Sequence, residues 1–402
     1  MSDSYPASST SPQLTTGAGT LAMFAGVTLS VVGIATFLLM PQFVEAVVTD
    51  LGYTERQAGF LSSAVMIGST LAAVATSAWI RRTSWRAAAG VALAGLLVAD
   101  GASMLVHAVA PFIALQGIVG FCGGSLYSLS LTILSDGDRP DRYFAYSIGA
   151  QTLYQVFALV AGPYLIHHGG ANAMLALFMA LGLAGVLTIG FVPAHGRDGI
   201  ATRTPGHLLS RPVVLALAGC FLFYVNIGAY WTYIERIGIS AGISLTAISN
   251  ALAFSAVASM AGVFVATWLG SRRGFVLPIS ISAVGVVCSV LLLTGRLHLP
   301  AYILSAIVYG IAWNLSMTYQ YSTVNAVDQS RRGVALAPAL HWAGGAAGPA
   351  VAALVVTSAD HSSVLWLVGV SVLLSLACFA LALRVHRTDT ALSISGLRAD
   401  ET

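Results

Sequence analysis

Apolar runs of about twenty residues recur along the whole chain, and a helix of that length crosses a hydrocarbon core of about 30 Å. The polar breaks between them fall at residues 49–56, 81–86, 110–111, 136–142, 167–170, 195–211, 235–244, 271–274, 295–300, 328–333 and 360–363, and the chain turns polar after Arg387. Eleven breaks predict twelve spans. The break at 195–211, with Gly196, Gly199, Pro205 and Gly206, has the composition of a linker and leaves six spans on each side. The expected organisation is a tail at 1–20, a six-helix bundle at 21–193, a linker at 194–211, a second bundle at 212–386 and a tail at 387–402.

The halves resemble each other. A shift of 190 residues places Glu45 on Glu235, Gly52 on Gly242, Thr54 on Ser244, Asp138 on Asp328 and Arg142 on Arg332. Shifts of 191 and 186 place Arg81-Arg82 on Arg272-Arg273 and Gly162-Pro163 on Gly348-Pro349. An even number of spans starts both halves on the same side, which predicts a parallel repeat of the kind found in transporters with a midplane site between halves.

Composition removes the other classes. With 57% hydrophobic and 8% charged residues, and a mean hydropathy of +0.84, the chain has about a third of a soluble domain's charge. The expected solvent is the lipid bilayer. All 18 basic residues are Arg, and fifteen of them fall on one side if the N-terminus is inside; only Arg56, Arg236 and Arg296 fall outside. Positive charge collects on cytoplasmic loops, so both termini are expected in the cytoplasm, with the chain in the plasma (inner) membrane of a bacterium. The first 19 residues lack a basic n-region, so the first helix is expected to persist. The net charge of +3 is scattered, and no nucleic-acid partner is expected. Cys122, Cys220, Cys288 and Cys378 sit singly in apolar runs, which suggests neither a metal nor a disulfide.

The twelve spans, the central linker and the stretch Leu39-Met40-Pro41…Asp50-Leu51-Gly52-Tyr53-Thr54…Gln57-Ala58-Gly59 resemble the major facilitator superfamily over nearly the whole length. Its loop signature after the second helix is only partly present, with Arg81 where an Asp is expected, and the fourth helix keeps Gln116-Gly117 without the preceding Arg. The resemblance implies a fold of two pseudo-symmetric six-helix bundles, with the first, fourth, seventh and tenth helices lining a cavity and the fifth and eleventh beside them. It also gives meaning to Ala158-x-x-x-Gly162-Pro163 and Gly344-x-x-x-Gly348-Pro349, since a Gly-x-x-x-Gly-Pro motif on the fifth helix is typical of the family's exporters. Close helix packing explains both copies equally well, so the tilt toward efflux is mild.

Charges within spans are candidates for function. Glu45 and Glu235 lie about 36 Å along their helices from the inner end. They are an outer gate, a shared proton site, or solvated helix-end carboxylates with Glu235 paired to Arg236. Asp100, about 22 Å from the inner face, is a proton or substrate residue, or a local helix contact. His341, about 14 Å from Arg332, is a proton relay, a ligand contact, or a neutral ring bonded to the next helix. Single helical faces collect Gln151, Tyr154 and Gln155 on the fifth span, Asn226, Tyr230 and Tyr233 on the seventh, and Tyr309, Trp313, Ser316 and Gln320 on the tenth. These stripes are expected to face the bundle interior or a watery cavity.

No Arg or Lys lies deep in a span, which disfavours an anionic solute, whereas rings, amides and acids suit a neutral or cationic one. There is no phosphate-binding loop and no nucleophile with its base, so neither an enzyme nor a bound cofactor is expected. The expectation is a monomeric secondary transporter of a small organic solute, coupled to protons and tilted toward efflux, with nutrient uptake as the alternative. A non-transporting sensor or scaffold is the remote one.

Overall fold

The computed structural model describes residues 16–80, 82–196, 210–270, 274–328, 332–357 and 361–399. Arg81, Arg197, Arg203, Arg272, Arg273 and Arg331 lie outside the described residues, as do most of the expected N-terminal tail and linker. The described residues form helices and no strands: α1 (Thr16–Leu38), α2 (Met40–Thr49), α3 (Glu55–Trp79), α4 (Trp85–Ser103), α5 (Val109–Ser135), α6 (Pro140–Thr188), α7 (Arg211–Ser240), α8 (Leu245–Ala258), α9 (Met260–Leu269), α10 (Val276–Leu292), α11 (Leu299–Val327), α12 (Arg332–Val355) and α13 (Ser362–Ala399). Nine segments of the described chain are long and apolar enough to cross a membrane.

Three departures from unbroken rods bring these helices to twelve. α1 and α2 are one rod bent at Leu39, and α8 and α9 are one rod bent at Ser259. α6 is two rods joined at Gly170, whose φ of 55° breaks the helix. A Cβ at Gly170 would strike the Asp50 carboxylate, which instead accepts the Ala171 N–H at 2.9 Å. Left-handed backbone and a close anion together require glycine there.

The repeat is visible in local geometry. Gly52 and Gly242 both take positive φ, at 68° and 82°. Thr54 and Ser244 then cap α3 and α8, each accepting the backbone N–H three residues on. Thr54 completes a reciprocal pair with Gln57, whose side chain accepts the Thr54 N–H at 2.9 Å.

Two predicted boundaries move. The chain breaks after Ser103, around His107, and α5 starts at Val109, so Pro111 lies inside the first turn of α5 rather than in the loop. The first turn has no intrahelical use for an N–H, so proline is tolerated there. α7 runs on to Ser240, so Glu235 and Arg236 belong to the helix and the turn begins only at Ala241.

The outer surface is apolar: Val91, Val98, Leu187, Phe264, Trp268 and Trp366 are each more than 70% exposed. In water such a belt would be an aggregation surface; in lipid it is the solvated face. The main core runs through both halves, with Phe43, Phe112 and Phe178 on one side and Phe223, Tyr233 and Tyr302 on the other.

Candidate functional site

Across the seam α3 packs on α12, α6 on α8 and α2 on α7. At one end of the molecule this contact is tight and polar. Arg236 of α7 reaches Glu45 of α2 through Nη1 at 2.6 Å and Glu55 of α3 through Nη2 at 2.6 Å and Nε at 2.8 Å. His361, just before α13, lies 3.9 Å from the second Glu55 oxygen. The Tyr233 hydroxyl donates to the Glu55 carbonyl at 2.9 Å. Ser62 and Thr232 share a hydrogen bond of 2.7 Å, and Gln42 Nε2 donates to Ser249 Oγ at 3.0 Å. This end is that of the Thr54 and Ser244 turns.

Two prolines shape the seam. Pro41 cannot donate to the carbonyl of Phe37, four residues back, and the rod bends there. The freed oxygen accepts Trp231 Nε1–H of the other half at 2.8 Å. Pro163 likewise frees the carbonyl of Leu159, which accepts Gln42 Nε2–H at 2.8 Å. In each case a side chain from another helix replaces a missing backbone donor, as buried carbonyls require.

Beyond Trp231 the halves separate around a cavity of about 330 Å³. It extends past Leu131, Ile148, Tyr321 and Pro338, which lie within nine residues of the helix ends at Ser135, Pro140, Val327 and Arg332. The cavity therefore reaches toward the end opposite the Arg236 cluster. Its floor is aromatic. Phe37 meets Trp313 and Trp342 edge-on at 6.3 and 5.7 Å between centroids, and Trp231 meets Trp313 at 6.4 Å. Tyr127 closes on Trp342 at 6.3 Å, and Tyr230 stacks on Tyr309 at 3.5 Å. Among the described residues lining it, none is Asp, Glu, Lys or Arg.

The major facilitator superfamily profile matches residues 25–339. The chain belongs to that superfamily. Solved structures of facilitator transporters share its fold at low identity. The nucleoside transporter NupG superposes with a TM-score of 0.69 at 15% identity, covering 90% of this chain and 98% of its own. The POT family transporter PepTSo gives 0.72 at 9%, covering 94% and 99%. A bacterial homologue of the iron transporter ferroportin, in an inward-facing state, gives 0.65 at 13%, covering 92% and 99%. A comparison with curated protein sequences finds no significant match.

In this facilitator, six of the expected site residues line the cavity: Gln151, Gln155, Tyr230, Tyr309, Trp313 and His341. Gln151 Nε2 donates to Ser147 Oγ at 2.9 Å and Ser30 Oγ at 3.3 Å, which fixes its amide. His341 stacks on Tyr224 at 4.1 Å and bonds to α11 at both nitrogens, with Gln320 Oε1 3.1 Å from Nε2 and Tyr321 OH 3.2 Å from Nδ1. Gln320 Nε2 is committed to Ser316, so its oxygen faces His341 and the Nε2–H tautomer of the ring satisfies both bonds. Gln320 stands behind His341, and Asn226 behind Tyr309, whose hydroxyl donates to Asn226 Oδ1 at 2.6 Å. Neither reaches the cavity, nor does Tyr154.

The carboxyl candidates divide. Glu45 is buried and paired with Arg236, not solvated. Glu235, the residue before Arg236, is fully buried and neither of its oxygens has a hydrogen-bond partner. Asp100 is fully buried on α4, near the Gln116 amide of α5, and neither oxygen meets a donor in good geometry. Glu55, Arg236, Phe37 and Trp231 escape a search for polar stripes. Pro41, which exposes the Phe37 carbonyl, is the signal that could have found two of them.

Proposed function

We propose that this facilitator is a secondary active transporter that moves a small neutral or cationic organic solute by alternating access, coupled to protons and running toward efflux. The observation that carries it is the seam: sealed by Arg236, Glu45 and Glu55 at one end, and parted around an aromatic cavity toward the other. Such a structure needs only a rigid rocking of the halves to expose the same pocket to the opposite side. By the placement of arginine, the parted end faces the cytoplasm of the bacterial cell.

Asp100 and Glu235 are the proton carriers that the geometry favours, being enclosed carboxyls without a fixed positive partner. Glu45 is held by Arg236 and belongs to the gate, and His341 is held at both nitrogens as wall. The direction rests on Gly344-x-x-x-Gly348-Pro349, which lies at the α7–α12 contact.

The test uses right-side-out and inverted vesicles, a panel of solutes, an imposed pH gradient and a dye reporting internal pH. Solute moving out of the cytoplasmic face with counterflow of protons supports the proposal. Movement without proton flux ends the coupling, and accumulation from the outer face reverses the direction. Asp100→Asn and Glu235→Gln are each expected to abolish pH-driven transport while leaving solute exchange.

A further inference from the structure

Two residues of the cavity floor, Phe37 and Leu38, have backbone carbonyls that the helix does not use. Because Pro41 lacks an N–H, the Phe37 carbonyl is out of the ladder, and the bend at Leu39 releases its neighbour Leu38 as well. Both are bonded by side chains that themselves line the cavity, Trp231 Nε1–H to Phe37 at 2.8 Å and Gln155 Nε2–H to Leu38 at 3.4 Å. The 3.4 Å bond to Leu38 is long, so that oxygen can take another donor on its second lone pair, whereas the Phe37 oxygen, bonded at 2.8 Å, takes one in exchange.

The surroundings select what could bring that donor. No carboxylate lines the cavity among the described residues, so a permanent cation would leave water with ring faces as its only counter-charge. Phe37, Trp313 and Trp342 present faces and edges near right angles, at 82° and 77°. A flat ring can stack on one and meet the edge of another, the two favoured aromatic geometries.

We propose that the cavity takes a neutral, planar solute with an N–H or O–H donor on its edge, and that this donor bonds the Phe37 and Leu38 carbonyls in exchange for Trp231 Nε1–H. The assignment rests on the transporter reading above for treating the cavity as a substrate site. It also links binding to opening, because the Trp231–Phe37 bond is one of those joining the halves.

The experiment is equilibrium binding to the purified full-length protein in lipid nanodiscs, followed by calorimetry and by quenching of tryptophan fluorescence. The probes are 2-quinolone, 1-methyl-2-quinolone, which lacks the N–H, decahydroquinolin-2-one, which is not flat, and the cation 1-methylquinolinium. 2-Quinolone should bind about tenfold more tightly than each of the others, the worth of one hydrogen bond or one stacked ring. Trp231→Phe removes the competing donor and should raise the ratio of 2-quinolone affinity to N-methyl affinity severalfold, whatever the smaller ring does to both. Pro41→Ala returns a backbone donor to Phe37 and should bring the ratio of the two quinolones toward one. Equal binding of the pair in the natural protein, tightest binding of the cation, or no binding by any probe overturns the proposal. Transport does not enter these titrations: 2-quinolone that binds as stated but is not moved by proteoliposomes counts against the transporter reading and leaves the site in place.

Discussion

Arg236 and Glu45 form an ion pair of 2.6 Å between α7 and α2, at the end of the seam away from the cavity. The same guanidinium holds Glu55 of α3, so one side chain of the second half ties down two helices of the first. Every one of these contacts must break for the cavity to open at that end. Charge-assisted hydrogen bonds are worth about 1.5–3 kcal/mol when their partner is removed. Arg236→Gln is therefore expected to shift the population toward the opposite-facing state by about tenfold or more. Spin-label distances between the 51–54 and 241–244 turns, in a background lacking the four natural cysteines, would report it. An unchanged distance distribution would rule out the latch.

The exchange of a backbone donor for a side chain at Pro163 makes a second prediction. Gln42→Leu leaves the Leu159 carbonyl buried and unpaired, at a cost of about 1–3 kcal/mol. Adding Pro163→Ala supplies a backbone N–H four residues on and should recover about 1 kcal/mol of that loss. A double-mutant cycle of thermal melts measures the coupling; additive effects would show that the two residues do not share the carbonyl.

The α7–α12 contact is set by glycine. A Cβ at Gly344 would strike the Phe221 carbonyl, and one at Gly348 the Val225 carbonyl. Gly348→Val should lower stability by about 1–3 kcal/mol by forcing the helices apart. Gly149→Ala in α6, where nothing stands near the new methyl, should be neutral or stabilising by about 0.5–1 kcal/mol. Melting temperatures of the two variants in the same lipid compare them directly.

Asp100 is costly where it stands. Neither Asp100 oxygen has a hydrogen bond; a buried polar group left so costs about 1–3 kcal/mol, and an apolar side chain of similar volume removes that cost. Asp100→Leu should therefore melt no lower than the natural protein while losing proton-driven transport. A variant that melts lower and still transports would mark Asp100 as a packing residue.

Most of the architecture was legible in the order of residues because lipid imposes one length and one hydropathy on each crossing. The repeat was legible too, since Gly52 with Thr54 and Gly242 with Ser244 solve the same turn twice. The break before Pro111 was misplaced because Met104, Leu105 and Val106 are apolar and hide the loop. Stripes on one helix found Gln151, Gln155, Tyr230, Tyr309 and Trp313, since period 3.6 fixes which residues share a face. They also gathered Asn226, Gln320 and Tyr233, which share the face but support a neighbour or the gate.

By itself, then, the chain determined its solvent, its all-helical class and its twofold repeat, because each of these depends on residues close in sequence. What it could not determine is which carboxylates Arg236 holds, which carbonyl Trp231 reaches, and that the oxygens of Glu235 and Asp100 are left without hydrogen bonds. Those relations join residues far apart in the chain, 194 positions in the case of Phe37 and Trp231. Only the packing of one half against the other brings such groups within bonding distance.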